Sequence, residues 1–224
     1  YQGGRIWWTS ATGAAAMTSF VLTKYAEFGG PDVLGFPTGA RLEGLSDGGW
    51  VQRFQKGAIV DSASTSTTCV WGYRWTMWTA SGRETGPLKW PVALVENLPG
   101  GAWIQRFQKG ATVSGPTTGR AIVHNYAWAA WVALGREGGV LGLPRGDRQV
   151  VARGYTQAFE RGGLWGLTDK PAWGVWGPVL DAWLAAGGPT GSYGVPVAHV
   201  EESGGSATGR FVGGAIPVCP TPGT

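Results

Sequence analysis

One period governs this chain. Segments of the form aromatic-x-x-Gly end at Gly4, Gly57, Gly110, Gly162 and Gly214, so their glycines stand 53, 53, 52 and 52 residues apart. A second ladder consists of Leu34-Gly35-Phe36-Pro37, Leu88-Lys89-Trp90-Pro91, Leu141-Gly142-Leu143-Pro144 and Tyr193-Gly194-Val195-Pro196, and its prolines step by 54, 53 and 52. A third, formed by Tyr25, Trp78, Trp131 and Trp183, runs 12 or 13 residues ahead of those prolines. Three ladders with one period define about four degenerate copies of a roughly 52-residue unit. Such a unit buries too little surface to stand alone, so neighbouring copies must complete the core.

The same local signals recur in each copy. Segments 123–134 and 175–186 carry apolar residues at helical spacing, include the ladder aromatic and run into Gly-rich sequence, which predicts a short helix. The Leu-Gly-x-Pro turn follows, where glycine permits a positive φ and proline forces the residue before it to be extended. Alternating stretches such as 50–54 and 58–60 then flank Lys56-Gly57 and predict a hairpin with a tight Gly turn. The expected fold is a β-rich tandem array of units 5–57, 58–110, 111–162 and 163–214, stacked as a stalk or closed into a propeller-like ring. A partial hairpin at 1–8 and a tail at 215–224 flank it. The first stretch lacks a preceding helix and turn, as expected for a repeat cut at a junction with an upstream catalytic domain.

Composition narrows the function classes. Forty Gly and 14 Pro exclude long uninterrupted helices, while 14 Trp, 6 Tyr and 7 Phe supply too much apolar surface for a disordered chain. Lys and Arg exceed Asp and Glu by only four, and the surplus is scattered, which argues against nucleic acid as a partner. No stretch approaches the ~20 continuous apolar residues of a membrane span. Few charges with abundant Trp, Thr, Ser and Gly suit a secreted surface protein that meets carbohydrate. Cys69 and Cys219 could form a disulfide in an oxidising compartment or remain two buried thiols; the bond, tying the C-terminal tail to an earlier unit, is the expectation here.

Motifs for catalysis lack their context. Gly44-Leu45-Ser46-Asp47-Gly48 has the letters of a nucleophile elbow, but it precedes a strand instead of joining a strand to a helix. Neither histidine, His124 or His199, has another at metal-ligand spacing, and no cofactor is expected. Glu43, Glu96 and Glu201, with Gln149 in the corresponding place of the third copy, recur singly, whereas a glycosidase needs two carboxyls facing one bond. A non-enzymatic chain is the expectation.

Strand parity singles out a different set. With Phe54 facing the core, Trp50 and Gln52 share its face and Arg53 points to the other; Trp103, Gln105 and Arg106 repeat this, and Tyr155 with Gln157 repeats it without the arginine. A glutamine on an apolar face must find partners, so it either braces a neighbouring turn or lines a polar pocket. Carbohydrate sites pair an aromatic face with planar polar groups, because stacking alone does not orient a ring. These residues, with Glu43, Glu96 and Glu201 as third partners, are the candidate ligand set.

Leu34-Gly35-Phe36-Pro37-Thr38, the segment from Gln52-Arg53-Phe54 to Gly57-Ala58-Ile59, and Ile6-Trp7-Trp8-Thr9 with Thr12-Gly13-Ala14 resemble the LGFP repeat of actinobacterial envelope proteins. The likeness covers essentially the whole chain, with Lys89 departing from the signature glycine and Tyr193 from its leucine. It implies a secreted, non-catalytic array in the cell wall that binds the peptidoglycan–arabinogalactan polymer while an attached mycoloyltransferase or hydrolase does the chemistry. A lectin for other glycans, a passive stalk and a peptidoglycan hydrolase or its accessory domain are the alternatives.

Overall fold

The computed structural model describes residues 3–151 and 154–219. The chain divides into two compact units, Tyr1–Leu98 with Trp103–Thr112, and Pro99–Ala102 with Val113–Thr224. The first holds β1 (Gly4–Thr9), β2 (Gly13–Thr18), α1 (Ser19–Glu27), α2 (Gly30–Leu34), β3 (Trp50–Phe54), β4 (Gly57–Ser62), β5 (Thr65–Trp71), α3 (Tyr73–Ala80), β6 (Glu96–Asn97) and β7 (Trp103–Phe107). The strand β8 (Gly110–Gly115) spans the boundary. The second unit holds β9 (Gly119–His124), α4 (Asn125–Ala133), β10 (Gln149–Val151), β11 (Gly154–Ala158), β12 (Gly162–Gly166), β13 (Ala172–Trp176), α5 (Gly177–Ala185), β14 (Glu201–Ser203), β15 (Ser206–Phe211) and β16 (Gly214–Val218). The result is β-rich, with small antiparallel sheets such as β3-β4-β5 and β10-β11-β12-β13 separated by single short helices.

The predicted hairpin forms. Phe54 pairs with Gly57 across a two-residue Gln55-Lys56 loop, and Trp50 pairs with Asp61 at the other end. The structure adds a third strand that the apolar pattern does not announce, because β5 begins with the polar run Thr65-Ser66-Thr67-Thr68. It also shortens the expected helices. Val123-His124 and Val175-Trp176 finish β9 and β13, and the next residue, Asn125 or Gly177, has φ of 54° or 56°. Gly72, at the same place before α3, has φ of 59°. A left-handed residue there turns an extended chain abruptly into a helix, a conformation open mainly to Gly and Asn. Each helix then ends at a left-handed glycine: Gly29, Gly82, Gly135 or Gly187.

The ladder aromatics hold these parts together. Tyr25 is 4 % exposed and Trp78, Trp131 and Trp183 are fully buried. Tyr25 stacks on Phe54 at 4.9 Å between centroids, and Trp183 on Phe211 at 5.2 Å; Trp78 and Trp131 lie 6.0 and 5.9 Å from Phe107 and Phe159. The polar tip of each reaches the second residue of the signature turn. Tyr25 Oη donates to the Gly35 carbonyl at 2.8 Å, and the indole N–H groups of Trp78, Trp131 and Trp183 donate to Lys89, Gly142 and Gly194 at 2.9, 3.0 and 2.9 Å. Those acceptor residues have φ of 73°, 62°, 72° and 67°.

The turn is fastened in turn to the hairpin that follows it. Leu34 O accepts from Lys56 N, Leu88 O from Lys109 N, Leu141 O from Arg161 N and Tyr193 O from Gly213 N. The signature prolines bridge to Phe54, Phe107, Phe159 and Phe211. Helix, turn and next hairpin therefore pack as one body, and the divisions expected after residues 57, 110 and 162 fall just inside the second strands of the hairpins.

Two substitutions probe this clamp. Trp131→Ala removes a fully buried indole and should destabilise by ~3 to 5 kcal/mol, with Trp131→Phe losing less because only the N–H to Gly142 and part of the ring go. Lys89→Gly should stabilise by about 0.5 to 1 kcal/mol, since it relieves the one non-glycine residue held left-handed at the second signature position. Equilibrium denaturation measures both, and a neutral Trp131→Ala would remove the ladder from the core.

Candidate ligand surface

The three glutamines are wholly internal. Gln52, Gln105 and Gln157 have no exposed surface, and each spends its amide nitrogen on backbone carbonyls. Gln52 Nε2 donates to Gly39 at 2.7 Å; Gln105 Nε2 to Ala93 at 3.0 Å and Cys69 at 2.9 Å; Gln157 Nε2 to Gly146 at 2.9 Å and Ile122 at 3.0 Å. Gly39, Ala93 and Gly146 each lie two residues past a signature proline. Of the two roles open to a glutamine on an apolar face, the structure gives these the brace: they pin the loop after the turn to the strand. They present no surface to a ligand.

The aromatic residues next to them carry arginines. Trp50 and Trp103 are half-buried and Tyr155 is buried. The Arg41 guanidinium lies 4.9 Å from the Trp50 ring centre, Arg148 4.7 Å from Tyr155, and Arg74 4.8 Å from Trp103 while also 4.4 Å from Trp71. A guanidinium over an indole or phenol face is held by the ring quadrupole. Arg41 and Arg148 stand four residues past Pro37 and Pro144; the second copy has Val95 there, and helix α3 supplies Arg74 instead. Parity draws attention to Arg53 and Arg106, which are exposed, and misses these three because two come from loops and one from a helix.

The glutamates face solvent and pair with arginines, on the side of the strand away from the glutamines. Arg106 meets Glu96 at 3.4 Å and Arg210 meets Glu201 at 3.2 Å. Both follow one register: Glu96 pairs with Ile104, two residues before Arg106, and Glu201 with Thr208, two before Arg210. Glu43 departs from it. Leu42 pairs with Val51 in the equivalent place, so Glu43 sits one residue off and binds Arg41 through Arg41 Nε at 2.9 Å. Arg53 has no glutamate opposite in this register.

Other sequence candidates have structural duties. Ser46 opens a 3-10 turn that leads into β3, and its carbonyl accepts from Trp90 Nε1 at 3.1 Å, so the segment is no nucleophile elbow. Asp47 beside it accepts from Ser64 and Ser62, which hold its carboxyl below the ordinary range. His199 Nδ1 accepts from Gly174 N at 2.9 Å, and His124 ends β9. The expected disulfide is absent: Cys69 is fully buried in β5, where burial pushes its thiol up to about 12, Cys219 is exposed, and both are free. Cys69 sits in a core cluster with Val21, Tyr25, Phe54 and Ile59, and a sulfur so buried offers no surface for thiol exchange. Among the described residues no group of three or more His, Cys, Asp or Glu side chains could hold a metal, and no helix is long and apolar enough to cross a membrane.

Burial lowers the pKa of both histidines from the ordinary value of 6.5, with Arg148 adding to the effect at His124. A depressed folded-state pKa means that the unfolded chain binds protons first. The stability these groups contribute is therefore complete above about pH 6.5 and drains away as pH falls through their folded-state values. Thermal midpoints measured from pH 7.5 to 4.5 should fall, and His124→Asn with His199→Asn should flatten that part of the profile. Equal slopes for both proteins would show that neither histidine is shifted.

A family model described as the LGFP repeat matches residues 34–86 and 141–191. Both matches open on the leucine of a signature turn and close just after a helix, at the 3-10 turns that follow α3 and α5. No curated protein matches the chain. The four clamped aromatics, the turns they clamp and the two matched segments together show a tandem array that carries LGFP repeats.

Proposed function

We propose that the chain is a non-catalytic module that binds cell-wall polysaccharide of the peptidoglycan–arabinogalactan type outside the cell and holds an attached or partner enzyme there. One observation carries the reading: the aromatic–guanidinium pairs Arg41–Trp50, Arg74–Trp103 and Arg148–Tyr155 recur beside the same strand in three copies. The guanidinium fixes the ring and leaves N–H donors at its edge, which suits a ligand made of rings bearing hydroxyls. Recurrence suits a ligand that is itself a repeating polymer. Each contact would be weak alone, and several acting on one chain gain by raising the effective concentration of the next.

The polar partners in this reading are exposed groups. Arg53 and Arg106 stand on the outer face of the strands that carry Trp50 and Trp103, and Glu96 and Glu201 are on the same side as Arg106 and Arg210. Gln52 and Gln157 act behind them by holding the loops that bear Arg41 and Arg148, and Gln105 holds the corresponding loop of the second copy.

Sedimentation with insoluble actinobacterial wall, before and after chemical removal of arabinogalactan, tests the reading. The folded chain should pellet with intact wall and far less with stripped wall. Arg53→Ala with Arg106→Ala should weaken binding severalfold at an unchanged unfolding midpoint, whereas Gln105→Ala should lower the midpoint. A chain that stays in the supernatant with every wall preparation contradicts the function.

A further inference from the structure

A cavity opens between Tyr155 of the third copy and Trp165 of the fourth. It measures about 310 Å³ and is walled by Tyr155 and Trp165, with Pro189, Thr190, Val195 and Gly166 around them. That is the lower end of the range for small-molecule sites. All of its lining residues belong to the second compact unit.

Its origin is legible in the repeat. Trp165 lies three residues past the ladder glycine Gly162, where the other copies have Trp7, Val60 and Val113. Val60 and Val113 are buried core residues at 0 % and 1 % exposure. Trp7 and Trp165 are larger and half-buried, and each meets its ladder aromatic edge-on, Tyr25 at 6.0 Å and Trp183 at 4.8 Å. The difference between those two copies lies in the third signature residue. In the first copy Phe36 packs 5.8 Å from Trp7, but the fourth has Val195 in that place, too short to cover Trp165. Gly166 completes the opening, since a Cβ there would come within 2.5 Å of the Tyr155 ring, which lies against the bare backbone.

We propose that this cavity is a binding site for one uncharged sugar residue of the polymer. The inference rests on the wall-polysaccharide reading and gives it a defined subsite away from the exposed arginines. Among the described residues the lining contains no charged side chain, which favours a ligand without charge. Trp165 and Tyr155 offer flat apolar walls, and Pro189 and Val195 offer apolar edges. Hydroxyl recognition falls to the Tyr155 and Thr190 side chains. Among the described residues the Tyr155 hydroxyl is held by a long 3.3 Å bond to Lys170 O, so it can reorient toward a ligand. Burial raises its pKa, which keeps the proton on the oxygen over the working range of pH. Arg148 stacked on Tyr155 fixes the ring in place.

The repeat itself supplies the test variants. Val195→Phe installs the residue of the first copy and fills the cavity, and Trp165→Val installs the residue of the second and third copies. Isothermal titration of the whole chain with neutral oligosaccharides released from arabinogalactan, and with an acidic uronic-acid trimer as control, should show binding of the neutral probes alone. Both variants should weaken that binding tenfold or more. Wild-type affinity in folded Val195→Phe, preference for the acidic trimer, or no binding of neutral probes by a chain that still pellets with wall would overturn the site but leave the wall reading standing. Neutral-probe binding sensitive to Val195→Phe in a chain that ignores wall would uphold the site and overturn the wall reading.

Discussion

The structure depends on one hydrogen bond made four times. A buried aromatic on each of α1, α3, α4 and α5 donates to the carbonyl of a left-handed residue in the signature turn. The bond satisfies a polar tip that would otherwise be stranded in the core, where an unmet donor costs ~1 to 3 kcal/mol. It also selects the backbone conformation of the turn, and so decides where the chain goes next. The turn in that conformation offers its first and third carbonyls to the loop of the following hairpin, and its proline bridges to the aromatic that stacks on the ladder ring. Helix, turn and hairpin thus define one another, which lets a unit with so short a helix and so small a sheet hold a shape.

Much of this was legible in the sequence because each part of the clamp leaves a distinct residue at a fixed interval. The ladder aromatic, the glycine of positive φ and the proline survive degeneration of the copies around them. Even the exception is informative: Lys89 adopts φ of 62°, as the glycines do at 67° to 73°, because the Trp78 indole still calls for its carbonyl. The third strand was hidden because its inward residues, such as Cys69 and Ala121, are few and its outer end is polar. The helix starts were misplaced by two residues because apolar spacing runs on across the strand–helix junction, and only the left-handed Gly72, Asn125 and Gly177 mark it.

Strand alternation reaches only part of the surroundings of the candidate site residues, for a physical reason. Alternation finds which residues share a face of a strand, and it placed Trp50, Gln52 and Phe54 together. It does not find what crosses over that face from elsewhere. Arg41, Arg74 and Arg148 reach their rings from loops and a helix, and the carbonyls that occupy Gln105 and Gln157 come from the loop after the turn and from a strand of the preceding copy. Glu43 was grouped with Glu96 and Glu201 because each follows a proline turn, whereas the strand register gives Leu42 the place that Glu96 holds.

The clamp is tested most directly by native-state hydrogen exchange of the four amides that bond to the first signature carbonyl: Lys56, Lys109, Arg161 and Gly213. These lie in loop positions, where exchange is ordinarily fast. The account predicts that they exchange as slowly as the amides of the adjoining strands, and that Trp131→Phe speeds Arg161 while leaving Lys56 as it was. Rapid exchange of all four in the unmodified chain, at the rate of its exposed turns, would contradict it.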